Sequence, residues 1–408
     1  MLTVDEACRR LVAMVGVLPP VATPLPQARG LVLATGVVAR RDLPGFDNSA
    51  MDGFAVRAAD TVGASEGEPA RLRVAGEVAA GSVFAGLLEP GTAVRIMTGA
   101  PIPAGSDAVV EVESTTVDGD TVLVMTEVEP GRSLRRAGDD VRRGEGALAA
   151  GAWLGPAQLA LLAALGETQP SCHPRPRVAV IPTGDELVDP AQQPGPGQVA
   201  DVVSSALPAA VAEAGGEPLL IRRAIDTEQD VRRALRDARG ADLVVTVGGV
   251  SMGEYDFVRR VIETEGELDF WRVAMRPGKP LAVGRVGGIP VVGLPGNPVS
   301  ALVGFEVYVL PAILAMSGRG GWSRPRRHCT LTQDVATPEG LRTFVRAIAT
   351  AGHGGIEVTP LPGQGSHQMR WMAAANALID VAAEATDISA GQPVQAILLD
   401  HPPGPPPW

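Results

Sequence analysis

Cysteine is scarce in this sequence, which has only three in 408 residues: Cys8, Cys172 and Cys329. They are far apart and form no CxxC pair, so the sequence supports neither a zinc knuckle nor a disulfide framework. Scattered thiols without a pairing pattern are typical of a reducing compartment. We therefore predict a cytoplasmic protein.

Long apolar runs are also missing. No eighteen consecutive residues are apolar, so we expect no transmembrane span. The first twenty residues carry Asp5 and Glu6 rather than the charge pattern of a signal peptide. Thr3 and Glu6 instead fit a helix capping box, followed by an apolar spacing at Ala7, Leu11 and Val15.

Positive charge is in deficit, because the formal net charge is −11. An acidic chain is a poor candidate for wrapping nucleic acid, whose phosphates demand basic partners. If the protein binds an anion, a local pocket must do so. No nucleic-acid or membrane partner is expected.

Lysine is nearly absent. Of the 35 basic residues, Lys279 in the run "RPGKP" (276–280) is the single lysine, and the others are arginine. Where bulk positive charge is enough, arginine serves. The one retained lysine therefore suggests a position that needs a compact ammonium charge rather than the planar guanidinium of arginine. The alternative is chance, since one leftover lysine must lie somewhere.

Glycine and proline are abundant, with 49 and 36 residues, which indicates many turns and short elements. From 173 onward apolar strands alternate with helices, a pattern typical of a parallel sheet covered on both faces. Short β-like runs precede and follow it. We therefore predict an α/β multi-domain fold: a helical and extended N-terminal domain (1–46 plus 141–172), an inserted β-rich domain (47–140), a central α/β domain (173–322), a C-terminal β-barrel (325–400) and a disordered tail (401–408).

Four polar loops occupy the positions where an open α/β sheet binds its ligands, at the carboxyl ends of its strands. They are "PTGDE" (182–186), "GGVSMGEYD" (248–256), "RPGKP" (276–280) and "LPGNPVS" (294–300). Gly248 and Gly249 let the backbone approach a phosphate and point N–H groups at it. Ser251 and Glu254 fit a helix capping box equally well.

Three acids lie at or near these strand ends: Glu186, Asp226 and Asp256. Beside an anion cradle they would repel the ligand unless a cation intervened. Mg²⁺ takes oxygen ligands and often bridges carboxylates to phosphate, so we predict Mg²⁺ at these three residues. Taken singly, Asp226 and Asp256 also suit the starts of the helices that follow them.

Eight motifs occur in a fixed order along the chain: "SAMDGFA" (49–55), "TGAPIPAGSDAVV" (98–110), "GDDV" (138–141), "PTGDEL", "GGVSMGEYDF", "PGKP", "GLPGNPVSA" and "QGSH" (364–367). Together they resemble the MoeA-type molybdopterin molybdenumtransferases, which include the gephyrin E domain and the plant Cnx E domain. The resemblance spans nearly the whole chain. It implies a central molybdopterin-binding domain and an elongated homodimer of four-domain subunits, with the active site at the subunit interface.

The resemblance also implies an activity, molybdopterin molybdotransferase. Such an enzyme uses Mg²⁺ to insert molybdate into adenylated molybdopterin, and it releases AMP and molybdenum cofactor. Other partners implied are a molybdopterin adenylyltransferase and molybdoenzyme apoproteins. Carried over by motif, the catalytic candidates are Asp52, Thr98, Asp140, Glu186, Asp226, Asp256 and Lys279. The substrate-binding candidates are Thr183, Gly184, Asp185, Asp201, Gly248, Gly249, Ser251, Gly253, Arg276, Pro280, Pro295, Asn297, Pro298, Ser300, Arg346 and Ser366.

The sequence departs from the family pattern at four positions. Val202 and Val203 follow Asp201 where the family has hydrogen-bonding side chains, Val247 replaces a serine, and Arg276 replaces a lysine. The three valines favour an alternative, a divergent or non-catalytic paralogue that binds molybdopterin or finished cofactor, whereas Glu186, Asp256 and Lys279 oppose it. A scaffold role and a nucleotide hydrolase activity fit the full set of motifs less well.

Overall fold

The computed structural model describes residues 1–250, 256–320, 323–352 and 354–399. Within them the chain divides into two compact units. One comprises Met1–Val21, Gly30–Ala34 and the described chain from Cys172 onward; the other comprises Ala22–Arg29 and Thr35–Ser171. The four-domain division at the boundaries given above stays a prediction.

The central domain is built on a six-stranded sheet. Its strands are β1 (Arg177–Pro182), β2 (Glu217–Leu220), β3 (Leu243–Val247), β4 (Gly266–Trp271), β5 (Ala282–Val286) and β6 (Ile289–Leu294). Their order across the sheet is β2-β1-β3-β6-β5-β4. The first four in that order are parallel, whereas β5 and β4 are antiparallel and extend one edge. The predicted parallel core is confirmed, and the sheet as a whole is mixed.

Helices cover both faces of this sheet, as the continuously apolar strands predicted. Along β1, Val178 and Val180 face one hydrophobic cluster, while Ala179 and Ile181 face the other. This alternation follows from the two-residue repeat of a strand. The helices of the domain are Val203–Glu213, Glu228–Asp237, Phe257–Glu265, Pro298–Gly304 and Leu310–Met316, the last two joined by a π-helical turn at Phe305–Val309.

The N-terminal helix, Val4–Val15, belongs to this central unit. Its start is the predicted one, because the Glu6 N–H donates to Thr3 Oγ1 at 3.3 Å. Val4 and Leu11 are buried in the same cluster as Leu310–Met316. The apolar face of this helix is therefore buried in the α/β core.

One helical run, Pro298–Met316, is long and apolar enough by composition to cross a membrane. Of its most apolar window, 83% is buried inside the protein. Burial of this extent is that of a core helix, whose sides are all covered by protein.

The C-terminal domain is a closed barrel of five strands, since its first and last neighbours also pair. The strands are Arg326–Leu331, Arg342–Gly352, Gly355–Pro360, Ala377–Val381 and Pro393–Leu398, with a helix at Met369–Ala374. Arg326–Leu331 pairs with Pro393–Leu398 in the barrel, its Cys329 and Leu331 facing the core.

The second unit contains a six-stranded sheet from the predicted β-rich segment. In spatial order its strands are Ala108–Glu111, Gly53–Val56, Thr92–Ile96, Ala70–Val78, Thr121–Val124 and Thr115–Asp118. The helix Pro156–Leu165 lies in the same unit and ends at Gly166, whose positive φ of 78° suits glycine. The other strands of the described residues are only two or three residues long: Val21–Ala22, Val32–Leu33, Val37–Val38, Asn48–Ser49, Leu134–Arg135, Gly146–Leu148, Ser171–His173, Leu187–Val188, Val199–Ala200, Met275–Arg276, Val335–Ala336 and Asp387–Ile388.

A buried carboxylate ties the barrel together. Asp380, whose side chain is 2% exposed, accepts from Arg342 Nε at 2.6 Å and Nη2 at 2.7 Å, and it also pairs with Arg326. Arg342 reaches Asp5 of the N-terminal helix at 2.7 Å. The hydrogen bonds to Asp380 raise the pKa of Arg342 above its usual value.

We therefore expect Asp380→Ala to lower the free energy of unfolding by about 3 kcal/mol, because it leaves a largely buried guanidinium without its main partner. Urea unfolding of the full chain measures the change. Glu384→Ala, which removes an exposed carboxylate of the same domain, is the control and should change the value by less than about 0.5 kcal/mol. Equal effects of the two substitutions would contradict the expectation.

Candidate functional site

The site is founded on the register of three parallel strands. Pro182 of β1 pairs with Val247 of β3, which in turn pairs with Leu294 of β6. Three strands therefore end side by side, and their loops leave the sheet at one edge. The ladder continues one residue further, because the Thr183 N–H donates to the Val247 carbonyl at 2.9 Å and the Gly248 N–H to the Leu294 carbonyl at 3.0 Å. Loops that begin in register bring distant parts of the sequence together.

Gly248 is required where two of these loops meet. Its φ is +102°, and an added Cβ would lie 2.4 Å from Thr183 Oγ1. Gly249 follows with a φ of +64°, also in the left-handed region. The crowding explains the paired glycines of the sequence. Backbone here approaches backbone closely, and it leaves space for a ligand above the strand ends.

A cavity of about 810 Å³ lies at this edge. Its lining includes Glu186, Asp226 and Asp256, the three acids predicted to lie together. The sequence-predicted residues that line it as well are Thr183, Gly184, Gly248, Gly249, Pro280, Pro295, Asn297, Pro298 and Ser300. Each of the four polar loops thus contributes to one cavity, the loop 276–280 through Pro280 alone.

Asp226 and Asp185 lock two of the loops together. The Asp226 N–H donates to Asp185 Oδ1 at 3.0 Å, and the Asp185 N–H reaches Asp226 Oδ2 at 3.4 Å. The Asp226 side chain is half-buried, and this burial, with the nearby charges of Asp185 and Glu186, raises the pKa of Asp226. The carboxylates at this edge therefore repel one another.

The helix start suggested for Asp226 is wrong by one residue. Thr227 is the N-cap of Glu228–Asp237, and its side chain accepts from the Asp230 N–H at 3.3 Å. Asp226 is thereby left to face the cavity. A threonine with extended φ and ψ fits the cap as well as aspartate does, so the sequence could not separate the two.

Asp256 precedes the helix Phe257–Glu265, yet its side chain makes no capping hydrogen bond. It is 6% exposed and lines the cavity. Ser251 and Gly253, predicted for substrate binding in the same loop, lie outside the described residues.

Other candidates lie around the cavity rather than on its wall. Asp201 caps the helix Val203–Glu213, because its Oδ1 accepts from the N–H groups of Val203 at 2.9 Å and Ser204 at 3.0 Å. Arg276 and Lys279 are exposed in the loop that leads to Pro280. Within that loop, a Cβ on Gly278 would lie 3.7 Å from the Ser300 carbonyl, so the loop passes beside the helix at 298–304.

Arg346 and Ser366 belong to the barrel. Arg346 is 1% exposed, and its guanidinium donates to the carbonyls of Gly363 at 2.6 Å and Gly365 at 3.2 Å. Burial lowers the pKa of this group. In this arrangement Arg346 holds the loop 363–365 and does not line the cavity. Ser366 is half-buried in the same loop.

The three candidates from the β-rich segment lie in the other compact unit. Asp52 and Thr98 form a pair that the sequence did not predict. Asp52 Oδ1 accepts from the Thr98 N–H at 2.6 Å and from Thr98 Oγ1 at 2.7 Å, and these bonds lower the pKa of Asp52. Asp140 is exposed, with its backbone N–H bonded to the Leu43 carbonyl at 3.0 Å.

Sequence reasoning missed several lining residues. Val202, Val203 and Val247, which it named only as departures, form an apolar part of the wall, together with Leu187, Val199, Ala200 and Val250. Gly296 and His367 also line the cavity. His367 follows Ser366 in the "QGSH" motif, so that motif was the available signal.

Among the described residues, no group of three or more His, Cys, Asp or Glu side chains is close enough to hold a metal ion by itself. Glu186, Asp226 and Asp256 share a cavity without forming such a group. A metal bound here would need oxygen atoms from a ligand to complete its coordination.

These features define an α/β protein whose parallel strands end at a cavity lined by paired glycines and three acids. Three family models match the chain: the MoeA N-terminal region (domain I and II) at residues 2–166, a probable molybdopterin binding domain at 179–315, and the MoeA C-terminal region (domain IV) at 329–399. The chain belongs to the MoeA family, and its predicted fold class is confirmed.

Curated relatives match over nearly their whole length. Molybdopterin molybdenumtransferase 2 of Mycobacterium tuberculosis is 42% identical over 402 residues, which cover 97% of this chain and 99% of the relative. The molybdopterin molybdenumtransferase of Haemophilus influenzae is 36% identical over 409 residues, 98% and 99% of the two chains. The molybdopterin biosynthesis MoeA protein of Pyrococcus horikoshii has a similar crystal structure, with a TM-score of 0.82, 31% identity and coverage of 98% and 99%.

The raised pKa of Asp226 has a testable consequence. A carboxyl whose pKa rises on folding contributes stability when protonated and loses it as pH rises through the folded pKa. We expect Asp226→Asn to raise the melting temperature at pH 7 in the absence of divalent ions, because it removes one of the repelling charges. The gain should shrink as the pH falls through the raised pKa of Asp226, because the wild-type carboxyl then takes up its proton and loses its charge.

Thermal unfolding of the full chain at several pH values measures this difference. Glu217→Gln, at an exposed carboxylate of the same domain, is the control and should show no such trend. A melting temperature of Asp226→Asn below that of the wild type at pH 7 would show that the carboxylate is a structural partner instead.

Proposed function

We propose that this protein is a molybdenum insertase, which inserts molybdate into adenylated molybdopterin with Mg²⁺ and releases AMP and molybdenum cofactor. The full-length relatives named molybdopterin molybdenumtransferase support a role in molybdenum cofactor biosynthesis. The observation that supports the finer proposal is the cavity, whose lining brings together acids from three separate loops with Gly248 and Gly249.

The donor set fits Mg²⁺ in a form that the substrate completes. Mg²⁺ prefers oxygen ligands, keeps several waters and is commonly bound by one or two carboxylates plus substrate phosphate. The carboxylates of Glu186, Asp226 and Asp256 supply the protein's share around the cavity. The raised pKa of Asp226 marks the mutual repulsion that a bound cation would relieve. When bound, Mg²⁺ would neutralise charge on the bridging phosphates and polarise the linkage to AMP.

The remaining wall orients the ligand. Gly248 and Gly249 present backbone to the phosphates without a side chain in the way. Ser300 and Asn297 add residues with hydrogen-bonding side chains to the same lining. Lys279, exposed next to the lining residue Pro280, supplies a compact positive charge at the entrance for molybdate or phosphate oxygen.

We further propose a homodimer in which the β-rich segment of one protomer completes the site of the other. Asp52, Thr98 and Asp140 are the residues assigned to that role. The Asp52–Thr98 pair supports it, because two hydrogen bonds keep an exposed carboxylate ionised and oriented.

A second candidate function is binding of molybdopterin or finished cofactor without turnover. Val202, Val203 and Val247 favour it, since all three line the cavity and none can hydrogen-bond through its side chain. An apolar wall accepts a flat ring by contact alone, with less control over its orientation. Glu186, Asp256 and Lys279 favour catalysis.

We expect the purified protein, given adenylated molybdopterin, Mg²⁺ and molybdate, to release AMP. Asp256→Asn should slow this release by about 10- to 100-fold, because it removes a charge from the metal site while keeping the shape of the side chain. Chromatographic measurement of AMP against Mg²⁺ concentration tests both statements.

Glu263→Gln is the matched control, because it neutralises an exposed acid on the helix that Asp256 precedes. A lowered melting temperature with unchanged Mg²⁺ dependence in Asp256→Asn would make Asp256 a helix-start residue only. Absence of AMP release by the wild type, with molybdopterin still bound, would select the binding function.

Lys279→Arg should reduce AMP release by about tenfold although charge is kept, since a planar guanidinium cannot occupy the place of an ammonium. Arg236→Lys, at an exposed basic residue of the same domain outside the cavity lining, is the control and should retain activity. Wild-type turnover in Lys279→Arg would mean that the single lysine is there by chance.

A further inference from the structure

The cavity wall has an unequal balance of charge. Three carboxylates line it, whereas His367 is the only residue of the described lining whose side chain can carry a positive charge. The proposed ligand is a strong anion with tetrahedral phosphate or molybdate groups. A hydrogen-bond donor of this kind in an acidic wall therefore marks a place for an oxyanion.

The loop that carries His367 is held firmly. The buried Arg346 donates to two of its carbonyls, Gly363 and Gly365. Gln364 closes the loop on the same residue, because its Oε1 accepts from the Arg346 N–H at 3.0 Å and its Nε2 donates to the Arg346 carbonyl at 3.0 Å. The Gly365 N–H donates to Gln368 Oε1 at 2.8 Å. Such a network fixes a loop whose tip is an exposed imidazole.

The imidazole itself has no structural task in the part of the chain that the structure describes. His367 is exposed, and its ring makes no hydrogen bond to the described residues. Its position depends on Gly365, since a Cβ there would lie 2.8 Å from His367 Cε1 and 3.1 Å from Gln368 Oε1. The absence of a side chain at 365 therefore leaves the space that the imidazole occupies.

We propose that His367 binds a tetrahedral oxyanion of the ligand, donating a ring N–H to it from the barrel side of the cavity. The inference rests on the proposed function for the identity of that ligand, and it adds a contact that the acids and the glycine cradle do not supply. Arg346 is then a positioning residue, which acts through the loop. The oxyanion is either molybdate or a phosphate of the nucleotide half.

The test compares His367→Gln with the wild-type full chain by equilibrium dialysis, using molybdate and AMP as separate probes in the presence of Mg²⁺. Loss of one charge-assisted hydrogen bond should weaken one of the two by about tenfold. Weaker molybdate binding assigns the metal oxyanion, and weaker AMP binding assigns the phosphate. His328→Gln, an exposed histidine on a barrel strand outside the lining, is the matched control and should bind both as the wild type does.

Gly365→Ala provides a second test, because it displaces the imidazole without removing it. Its φ lies outside the left-handed region, so an alanine there strains no backbone. We expect it to reproduce the defect of His367→Gln at an unchanged melting temperature. Unchanged binding of both probes by His367→Gln, or no measurable binding of either by the wild type, would overturn the proposal.

The outcomes separate this inference from the function on which it rests. Wild-type AMP release with unaltered probe binding in His367→Gln rejects the histidine contact alone. Weaker oxyanion binding in His367→Gln, together with no AMP release by the wild type, supports the contact and rejects the insertase.

Discussion

The site depends on one constraint, the register of three parallel strands whose carboxyl ends lie side by side. Pro182, Val247 and Leu294 are neighbours across the sheet, and the hydrogen bonds of the next residues prolong that alignment into the loops. Because parallel strands point the same way, their carboxyl ends form a common rim. The strand register alone therefore brings together acids and glycines that are far apart in the sequence.

At this edge of the sheet, the arrangement that suits ligand binding is unfavourable for folding stability. Stable packing favours neutral, well-filled walls, yet Asp226 lies close to Asp185 and Glu186, and burial with these charges raises its pKa. Gly248 likewise adopts a backbone conformation that only glycine holds easily, pressed against Thr183. Functional sites are where local rules of folding are commonly broken. The rigid sheet below and the closed barrel beside it keep these unfavourable features in place.

The sequence predicted the parallel core well, because β1, β3 and β6 are mostly apolar and Gly or Pro follows each within two residues. It did not predict β4 and β5, since "GELDFW" alternates charge with apolar residues and "AVGRV" contains Gly and Arg. The loops of the cavity were predicted from motif and position. The place of His367 could not be, because it follows from the packing of the barrel loop beside the sheet, which no local pattern records. Asp226 and Thr227 are equally good caps by composition, so only the folded chain separates them.

The central unit is discontinuous in sequence, and this has a consequence during synthesis. The helix Val4–Val15 emerges first, but its apolar face is covered by residues that follow Cys172. At ordinary elongation rates the intervening unit takes on the order of ten seconds to make. Throughout that time the residues that bury Val4, Ala7 and Leu11 in the native protein have not yet been made. The nascent chain therefore exposes an apolar helix face at the ribosome. Chaperones that recognise exposed apolar segments would bind it there.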